Sequence, residues 1–470
     1  MNQLLAIDFG STYTKGVLFD CQSASVVGVA YTPSTVSSDI TLGLRRVLSA
    51  LRAQTGVEIE SVPAMACSSA AGGLRVAVIG LVPVLSLEAA QRAALGAGAR
   101  VVGAYGYKLT ERKLTELENS APDIVLLAGG TDGGDEQNIL HNARILAGSR
   151  LAAPIIVAGN QCVVEECARS LRESGKAAVT TKNLLPEIDR IEAEPVHDIV
   201  RDLFINRITH AKGIDRAREY LNLLSDIIPT PSAVLQAARL IAEGTDMSPG
   251  LGDTIVVDVG GATTDVYSIA SGAPTRPGVV MRGLPELALK RTVEGDLGMR
   301  INAPSIIERC GCAELLYFIA QAGHSPALAA EDVVAYATRV AECTDATPAD
   351  AREQAIDQAF GRAAVQIAVK RHAGALREVY TPAGVVLVQE GKDLANVNAV
   401  VGIGGVLAHG SNPRFVLEGA LDQGRDPYGV LPRHPTLFLD EQYVLYGVGL
   451  LSAISPEVAF RVAREVLTPL

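Results

Sequence analysis

Two short segments combine residue types that could bind a polyphosphate. LLAIDFGSTYTKGVLF at residues 4–19 and TIVVDVGGATTDVYSI at residues 254–269 align without a gap. Each contains an apolar strand, an aspartate, a glycine turn with small or hydroxyl residues, and a return strand. Asp8 aligns with Asp258, and a glycine follows each aspartate two positions later. This internal repeat predicts two domains built on one plan.

Such a turn supplies what a triphosphate requires. Glycine lets the backbone approach an oxyanion without a Cβ in the way. Successive N–H groups and Ser or Thr hydroxyls can donate hydrogen bonds to phosphate oxygens. An aspartate at a strand end can hold Mg²⁺ directly or through water, because that ion prefers oxygen ligands. Two such hairpins facing each other would hold the phosphates from both sides.

Two later segments fit the same site. Ala399–Gly410 (AVVGIGGVLAHG) reads as an apolar strand that enters Gly404 and Gly405, where a flat purine or ribose could lie on the backbone. The final helix, predicted over Tyr443–Ile454, carries two glycines that permit close helix packing at an interdomain hinge.

The elements that must position the first turn form a β-β-β-α unit. Apolar runs predict strands over Leu4–Phe9, Gly16–Phe19 and Ser25–Tyr31. Helical spacing of apolar residues then predicts a helix over Ile40–Ala53, with Asp39 as its cap. A corresponding strand, turn and return strand open the second domain, at Thr254–Val259 and Asp265–Ile269, after a helix over residues 231–243.

Strands and helices alternate through residues 65–185, which predicts a parallel sheet in an inserted Rossmann-like or flavodoxin-like domain. The predicted strands are Leu74–Ile79, Ala99–Tyr105, Asp123–Ala128, Pro154–Ala158 and Ala177–Thr180, and the clearest helices are Leu87–Leu95 and Glu136–Leu146. The predicted division is 1–64 with 186–250 as the first actin-like domain, 65–185 as the insert, 251–440 as the second domain, and 441–470 as a C-terminal helix returning to the first.

Composition excludes several classes of function. The 470 residues carry a formal net charge of -11 and no strongly basic run, which argues against a nucleic-acid partner. Seven cysteines, an odd number, do not suggest a disulfide framework, and reduced thiols are favoured over a metal site. No apolar run approaches the ~20 residues that span a bilayer, and no signal peptide is evident. We therefore expect a cytoplasmic protein without a membrane partner, of open oligomeric state.

In this order the segments resemble the five signatures of the actin/Hsp70/hexokinase superfamily. These are phosphate-1 (Asp8–Lys15), connect-1 (near Ser232–Gly244), phosphate-2 (Asp258–Asp265), adenosine (Gly402–Gly405) and connect-2 (near Tyr446–Leu451). The resemblance implies an α/β fold with two ribonuclease-H-like, or actin-like ATPase, domains around a nucleotide cleft that takes ATP and Mg²⁺.

Within that superfamily the chain resembles the glutamate mutase accessory proteins called GlmL or MutL. The residues that carry the likeness are DFGSTYTK at 8–15, LLAGGTDGG at 126–134 and DVGGATTDV at 258–266. The middle motif discriminates, because general sugar kinases and Hsp70 proteins lack it. The resemblance implies ATP-dependent reactivation of an adenosylcobalamin-dependent mutase, whose subunits would be the partners.

The resemblance also assigns residue roles. Asp8 and Asp258 would organise Mg²⁺ and the attacking water. The residues implied to contact phosphates are Gly10, Ser11, Thr12, Gly260, Gly261 and Thr263, while Gly404 and Gly405 would lie against adenosine. Lys15 has two interpretations, as a group that neutralises phosphate charge or as a solvated strand residue.

Neighbouring polar residues have structural interpretations. Asp265 could assist Mg²⁺, but a brace of the hairpin through backbone N–H bonds is preferred. Strand packing is favoured for Thr14 and Thr264. His409 could touch ribose, but a loop position is favoured.

The inserted block carries two further hypotheses. Its GGTDGGDE loop, Gly129–Glu136, lies between a predicted strand and helix, at the sheet edge where ligands bind. Asp132 and Asp135 could sense a metal, a partner or a ligand, or could simply form an acidic helix start. The block could also mimic the small subunit of the mutase. Direct cobalamin binding is not expected, because the nearest match to Asp-x-His-x-x-Gly has Ile208 in place of aspartate, and His210 fits a surface position.

Three alternative functions share the fold. A small-molecule kinase also needs a carboxylate base, which carbohydrate kinases usually carry in a Trp-Gln-Asp segment, and this chain has no Trp. An electron-delivering activator of 2-hydroxyacyl-CoA dehydratases would need an iron–sulfur cluster, for which Cys310 and Cys312 are the only candidates. The third alternative is a filament-forming actin-like protein.

Overall fold

The computed structural model describes residues 2–10, 12–35, 39–69, 74–209, 214–322, 328–382, 384–424 and 426–470, without the side chains of 204–209 and 214–215. The strands are β1 (Gln3–Phe9), β2 (Tyr13–Asp20), β3 (Ser25–Pro33), β4 (Pro63–Ser68), β5 (Arg75–Gly80), β6 (Arg100–Gly106), β7 (Ile124–Leu127), β8 (Ile155–Val157), β9 (Ala178–Thr180), β10 (Asn222–Leu223), β11 (Ile228–Pro229), β12 (Thr254–Val259), β13 (Thr264–Ile269), β14 (Val279–Met281), β15 (Leu289–Glu294), β16 (Ala375–Thr381), β17 (Gly384–Glu390), β18 (Ala399–Ile403), β19 (Thr436–Asp440) and β20 (Leu467–Pro469).

The helices are α1 (Ile40–Thr55), α2 (Glu88–Gly96), α3 (Glu111–Asn119), α4 (Gln137–Ala147), α5 (Val164–Glu173), α6 (Glu194–Thr209), α7 (Ile214–Tyr220), α8 (Thr230–Glu243), α9 (Ala303–Cys310), α10 (Cys312–Gln321), α11 (Ala330–Glu342), α12 (Ala351–His372), α13 (Gly405–Ala408), α14 (Pro413–Leu417), α15 (Leu445–Ser452) and α16 (Pro456–Val466). No helix in the described ranges is both long enough and apolar enough to cross a bilayer.

Two six-stranded sheets share one plan, as the sequence repeat predicts. In the first, β1 pairs antiparallel with β2 and β2 with β3, while β4 lies parallel on the other side of β1. In the second, β12, β13 and β15 form the antiparallel part, and β18 lies parallel beside β12. An antiparallel hairpin with a third strand on one side and parallel strands on the other is the ribonuclease-H-like arrangement. The predicted actin-like fold class is therefore confirmed by strand order.

The alternating block forms a separate five-stranded sheet. Its strand order is β6-β5-β7-β8-β9, and every neighbouring pair is parallel. This order, 2-1-3-4-5 in chain sequence, is that of flavodoxin-like sheets, which bind ligands outside the carboxyl ends of their strands. The predicted parallel sheet is confirmed, and all five of its predicted strands are found within two residues of their predicted ends.

Local patterns also located the first helix. The Asp39 side chain accepts a hydrogen bond from the Thr41 N–H at 2.9 Å, so the predicted cap of α1 is confirmed. The helix ends at Gly56, whose positive φ of 70° is readily adopted by glycine. An N-terminal carboxylate cap and a C-terminal glycine are the signals from which helix bounds can be predicted.

Two predictions differ from the structure at their edges. Residue 65, the predicted start of the insert, falls inside β4, which pairs with β1 of the first sheet. The predicted C-terminal helix is α15, but a second helix, α16, follows it, and β20 then pairs with β19 of the second sheet. The C-terminal segment therefore contacts both sheets rather than the first alone.

Helices α8 and α15 lie between the two six-stranded sheets and share one hydrophobic core with them. This core combines Leu4 and Val17 of the first sheet with Val256 and Val401 of the second. Gly449 of α15 lies so close to α8 that a Cβ there would be 1.8 Å from the Ala233 carbonyl oxygen. The two sheets are therefore joined through a helix crossing that only glycine permits.

The second lobe, which is built on the second six-stranded sheet as the first lobe is on the first, contains a buried polar cluster. Lys392 has no accessible surface, and its Nζ donates to the Ser268 hydroxyl at 3.1 Å and to the carbonyls of Ala270 and Ala288 at 2.8 and 2.7 Å. The Nε2 of His372 lies 2.8 Å from the same hydroxyl. Burial lowers the pKa of Lys392 to about 7.

This lysine should make stability depend on pH. Its pKa in the unfolded chain is about 10.4, so between about pH 7 and pH 10 unfolding takes up a proton and stability rises with pH. We expect the free energy of unfolding of wild type, relative to Lys392→Met, to rise by up to about 1.4 kcal/mol per pH unit in that window. Urea unfolding at pH 7, 8 and 9 measures this. The exposed Lys108→Met is the control, and a pH-independent difference would contradict the assignment.

Candidate functional site

The two aspartate turns have the same backbone geometry. The Gly10 N–H donates to the Tyr13 carbonyl at 3.0 Å, and the Gly260 N–H donates to the Thr263 carbonyl at 2.9 Å. A Cβ at Gly10 would lie 2.4 Å from that carbonyl oxygen, and one at Gly260 would lie 2.9 Å from its own. Both distances are shorter than real Cβ contacts, so each turn requires glycine at its first position.

Strand register makes the two hairpins alike in backbone but different in the charge of the residue opposite the aspartate. Asp8 of β1 faces Lys15 of β2, whereas Asp258 of β12 faces Asp265 of β13. One turn therefore presents a carboxylate with a neighbouring ammonium group, and the other presents two carboxylates.

The two turns converge on one cleft of about 1000 Å³. A Cβ on Gly261 would lie 3.4 Å from the Thr12 hydroxyl, so residues from the two halves of the chain are in contact. Nine of the predicted site residues line this cleft: Asp8, Gly10, Thr12, Lys15, Asp258, Gly260, Gly261, Thr263 and Gly405. Ser11, also predicted to contact phosphate, lies outside the described residues.

Both oxygens of Asp8 are already engaged. The residue is 1% exposed, and Oδ1 accepts hydrogen bonds from the Thr230 hydroxyl at 2.6 Å and from the Cys67 thiol at 3.5 Å. Oδ2 lies 3.0 Å from the Lys15 Nζ. Asp8 is therefore held in one orientation by two strands and by the start of α8.

Lys15 is buried rather than solvated. Its side chain is 12% exposed, and Nζ lies 3.6 Å from the centre of the Tyr443 ring and 5.4 Å from that of Tyr446. The interpretation as a solvated strand residue is wrong, because β2 packs against the segment that leads into α15. Neutralisation of phosphate charge by Lys15 stays a prediction.

Asp258 differs from Asp8 in having an unused oxygen. Among the described residues, no group donates a hydrogen bond to its Oδ1, which has no accessible surface. Burial, and after it the nearby Asp265 carboxylate, raises the pKa of Asp258 to about 7. A buried carboxylate oxygen without a partner is costly, and a bound cation would satisfy it. The site thus fits a Mg²⁺ ion held by one or two carboxylates.

Asp265 braces the second hairpin through side chains. Its Oδ1 accepts from Arg291 Nη2 at 2.6 Å and Nε at 3.0 Å, and Oδ2 accepts from the Thr263 hydroxyl at 2.8 Å. The preferred bracing role is found, but its partners are a guanidinium and a hydroxyl rather than backbone N–H groups. Thr264 is buried and donates to the Leu297 carbonyl at 2.7 Å, as expected for strand packing.

The site is connected to the five-stranded sheet through a turn that the sequence did not indicate. This 95–100 turn joins α2 to β6. Arg291 Nη1, from the guanidinium that holds Asp265, donates to the Leu95 carbonyl at 3.0 Å, and the Ser232 hydroxyl donates to the Ala97 carbonyl at 3.3 Å. The turn therefore contacts Arg291, which holds Asp265, and Ser232, which lies two residues after the Thr230 that holds Asp8.

The two predicted adenosine glycines occupy different surroundings. Gly404 has a positive φ of 108°, and a Cβ there would lie 2.3 Å from the Val259 carbonyl oxygen. It is not among the described residues that line the cleft. Gly405 lines the cleft and has no atom within 4 Å of its Cβ position. Gly404 therefore serves close packing of β18 on β12, whereas Gly405 leaves open space.

His409 also lines the cleft, at its edge. Its ring centre lies 6.0 Å from that of Tyr31 on β3, so the two lobes touch here through aromatic side chains. Its predicted loop position is consistent with this contact, since it directly follows α13.

The GGTDGGDE loop follows β7 at the carboxyl edge of the five-stranded sheet. Asp132 Oδ1 accepts from the Asn183 side-chain amide at 2.8 Å and from the Gln161 N–H at 3.0 Å. Asp135 Oδ1 accepts from the Asn138 N–H at 3.0 Å. These bonds account for both carboxylates as parts of a folded turn and helix start, and a sensing role for them stays a hypothesis.

Other candidate ligand groups are scattered. All seven cysteines are free, including the half-buried Cys310 and Cys312. Within the part of the chain that the structure covers, no three His, Cys, Asp or Glu side chains are grouped to hold a metal. The sequence that most resembles a cobalamin motif ends at residues 210–213, including His210, which lie outside the described residues.

A family model described as MutL protein matches residues 4–467, almost the whole chain. The chain belongs to the MutL protein family. "Protein MutL" from Clostridium tetanomorphum is 43% identical over 468 residues, which is 99% of both chains. The resemblance inferred from the three motifs is thereby confirmed.

Solved structures with distant likeness include nucleotide-free acetone carboxylase, at a TM-score of 0.41 and 13% identity over 96% of this chain and 70% of the other. A nucleotide-free diol dehydratase-reactivating factor has a TM-score of 0.37 and 11% identity over 97% and 100%. The ROK hexokinase from Thermus thermophilus has a TM-score of 0.28 and 10% identity over 96% and 99%. The fold class of this chain rests on its own strand order.

Proposed function

We propose that this chain binds Mg-ATP between its two aspartate turns and hydrolyses it to reactivate an adenosylcobalamin-dependent mutase, such as glutamate (methylaspartate) mutase. The observation that carries the nucleotide part is the unpartnered Oδ1 of Asp258, buried where the two turns meet. Membership of the MutL family supports the mutase part, through the role that the family resemblance implies.

The turns supply donors on both sides of the cleft. Backbone N–H groups beside Gly10 and Gly260, with the hydroxyl of Thr12, would donate to phosphate oxygens. The Thr263 hydroxyl already donates to Asp265, so the proposed phosphate contact there falls to its backbone. Gly405, which leaves open space at the start of α13, would lie against the nucleoside.

The two aspartates would have different tasks. Asp258 would contribute its free oxygen to the cation or to a cation-bound water, and would orient the attacking water. Asp8, fixed by Thr230 and Lys15, would keep the opposite wall of the site in place. When bound, Mg²⁺ would offset the negative charge of the phosphates.

Service to a mutase requires that the nucleotide change the shape of the protein. Only a difference in contacts between ATP and ADP can shift such an equilibrium. The cleft lies between two lobes that share the α8–α15 crossing, so contacts made to both turns would favour closure about that crossing.

A pull-down tests the partner. The tagged chain is incubated with cell extract, with and without Mg-ATP, and the retained proteins are identified by mass spectrometry. We expect subunits of an adenosylcobalamin-dependent mutase to be enriched in a nucleotide-dependent manner, and the enrichment to be lost with Asp258→Ala. If no such mutase is retained in either condition, the mutase role is wrong and only a nucleotide-binding protein is left.

A further inference from the structure

Charged side chains in the cleft are matched almost one to one. Four Lys and Arg residues line its described part, and three of them have carboxylate partners that line it too. The three pairs are Lys15 with Asp8 at 3.0 Å, Arg291 with Asp265 at 2.6 Å, and Arg300 with Asp357 at 2.8 Å. Pairing of this kind is expected where charges are partly removed from water.

Arg100 is the fourth of these cations, and its charge is unmatched. Among the described residues, its guanidinium has no salt bridge and no side-chain hydrogen bond. Asp258 is the aspartate of the two turns whose carboxylate has no cation partner among the described residues. The cleft thus has a carboxylate available for a cation, Asp258, beside the aspartate turns, and a guanidinium available for an anion, Arg100, which is the requirement of a metal–polyphosphate complex.

The backbone of Arg100 is held at the start of β6, and its side chain is exposed. It begins β6 at the end of the 95–100 turn, and its backbone N–H donates to the Leu74 carbonyl at 2.8 Å. Its guanidinium reaches the second lobe, where Nη2 lies 3.0 Å from the Cβ position of Gly295. A Cβ at residue 295 would require this guanidinium to shift by a few tenths of an ångström.

The carboxylates that flank Gly295 are already neutralised. Glu294 and Asp296 both pair with Arg371, at 2.5 and 2.8 Å, and Asp296 also pairs with Arg309 at 2.7 Å. Arg100 therefore crosses to the second lobe without meeting a free acid there. Among the described residues its guanidinium N–H donors have no hydrogen-bond partner, which leaves them for a ligand.

We propose that Arg100 binds a phosphoryl group in the cleft, so that the five-stranded sheet region supplies a residue to the nucleotide site. This rests on the proposed function, in which the cleft holds Mg-ATP. Guanidinium and phosphate oxygens form strong, directional hydrogen bonds. The phosphoryl group is either the terminal phosphate of the bound triphosphate or the free phosphate left after hydrolysis.

With Arg100 in this role, the contacts of the 95–100 turn differ between a bound triphosphate and a bound diphosphate. Arg100 ends the turn, Arg291 joins the turn to Asp265, and Ser232 joins it to the start of α8. Binding or loss of the phosphoryl group at Arg100 changes the contacts of the turn, and with them the position of α2 and β6 relative to the lobes.

Calorimetric titration of the full chain tests the proposal. Arg100→Ala is expected to weaken binding of a non-hydrolysable Mg-ATP analogue by roughly 10- to 100-fold, the size expected for a charge-assisted phosphate contact. Mg-ADP affinity should stay within about twofold. Arg169→Ala is the matched control, because Arg169 is an exposed arginine on α5 that lies away from the cleft and has no ion pair in the described structure.

A second variant leaves the charge in place. Gly295→Ala puts a Cβ 3.0 Å from the Arg100 Nη2, so that the guanidinium must shift by a few tenths of an ångström. We expect the same selective loss of analogue affinity, by a smaller factor. Millimolar inorganic phosphate added with Mg-ADP identifies which phosphoryl group Arg100 binds. If it binds the free product, phosphate tightens ADP binding in wild type but not in Arg100→Ala. If it binds only the terminal phosphate of the triphosphate, phosphate does not change ADP binding in either protein.

The outcomes separate this proposal from the function on which it rests. Equal weakening of the analogue and of ADP, or no weakening of either, would overturn the role of Arg100 and leave nucleotide binding intact. A wild-type chain that binds neither nucleotide would overturn the proposed function itself.

Discussion

Replacing Asp258 with alanine is expected to abolish Mg²⁺-dependent ATP turnover while the protein stays folded. The loss should be roughly 10³-fold or more, because a metal-held phosphate gains several kcal/mol of stabilisation that depends on the ligands of the ion. Turnover is measured as phosphate release without any added alcohol, so that a kinase that needs an acceptor would show none even in wild type.

Stability should move in the opposite direction. The Asp258 Oδ1 is buried and unpartnered, so its removal relieves a desolvation cost and should stabilise the ligand-free protein by about 1 kcal/mol. Asp8→Ala provides the contrast. It leaves the buried Lys15 ammonium without its carboxylate, which should cost about 3–5 kcal/mol. Undiminished turnover in Asp258→Ala, or a melting temperature that falls as far as that of Asp8→Ala, would overturn the division of roles.

The second large effect concerns the helix crossing. Gly449→Ala should destabilise the protein by more than about 4 kcal/mol, or prevent folding, because the new Cβ would lie 1.8 Å from the backbone oxygen of Ala233. A backbone carbonyl inside a helix cannot move aside as a side chain can. The sign is informative, since alanine normally stabilises a helix relative to glycine by about 1 kcal/mol.

Gly148→Ala is the matched control for this substitution. Gly148 ends α4 with a negative φ, and its Cβ position meets only the Ile145 carbonyl, at 3.7 Å. Urea unfolding followed by circular dichroism should show this variant unchanged to within about 0.5 kcal/mol. If Gly449→Ala unfolds at the same urea concentration as Gly148→Ala, α8 and α15 are not packed as described.

Sequence predicted the parts of the site that depend on local pattern. The alignment of Asp8 with Asp258 located two hairpins, because strand, turn and return strand are specified by neighbouring residues. Strand alternation likewise located the five-stranded sheet. Thr12 and Gly261 were predicted to share one site only through the repeat, and their contact in the structure comes from packing of the two sheets on common helices.

The features that were missed depend on residues far apart in the chain. Nothing beside Lys15 indicates that Tyr443 covers it, and nothing beside Arg291 indicates that it spans Asp265 and the 95–100 turn. Arg291 belongs to no motif, and a lone arginine in a strand usually faces solvent. Ion pairs between residues that are distant in the sequence can be identified only in the folded structure. The same holds for Arg100, whose distinction is the lack of a partner among the described residues.

The core that contains α8 and α15 has a consequence for biosynthesis. Leu4 and Ala6 of β1 share one core with residues of α15 and α16, which are synthesised near the end of the chain. At about 5–20 residues per second, roughly 20–90 s pass between translation of the strand and of its cover. The nascent N-terminal sheet therefore emerges from the ribosome with one apolar face bare. Truncation after residue 444 would remove α15 and α16 and expose apolar residues of both six-stranded sheets.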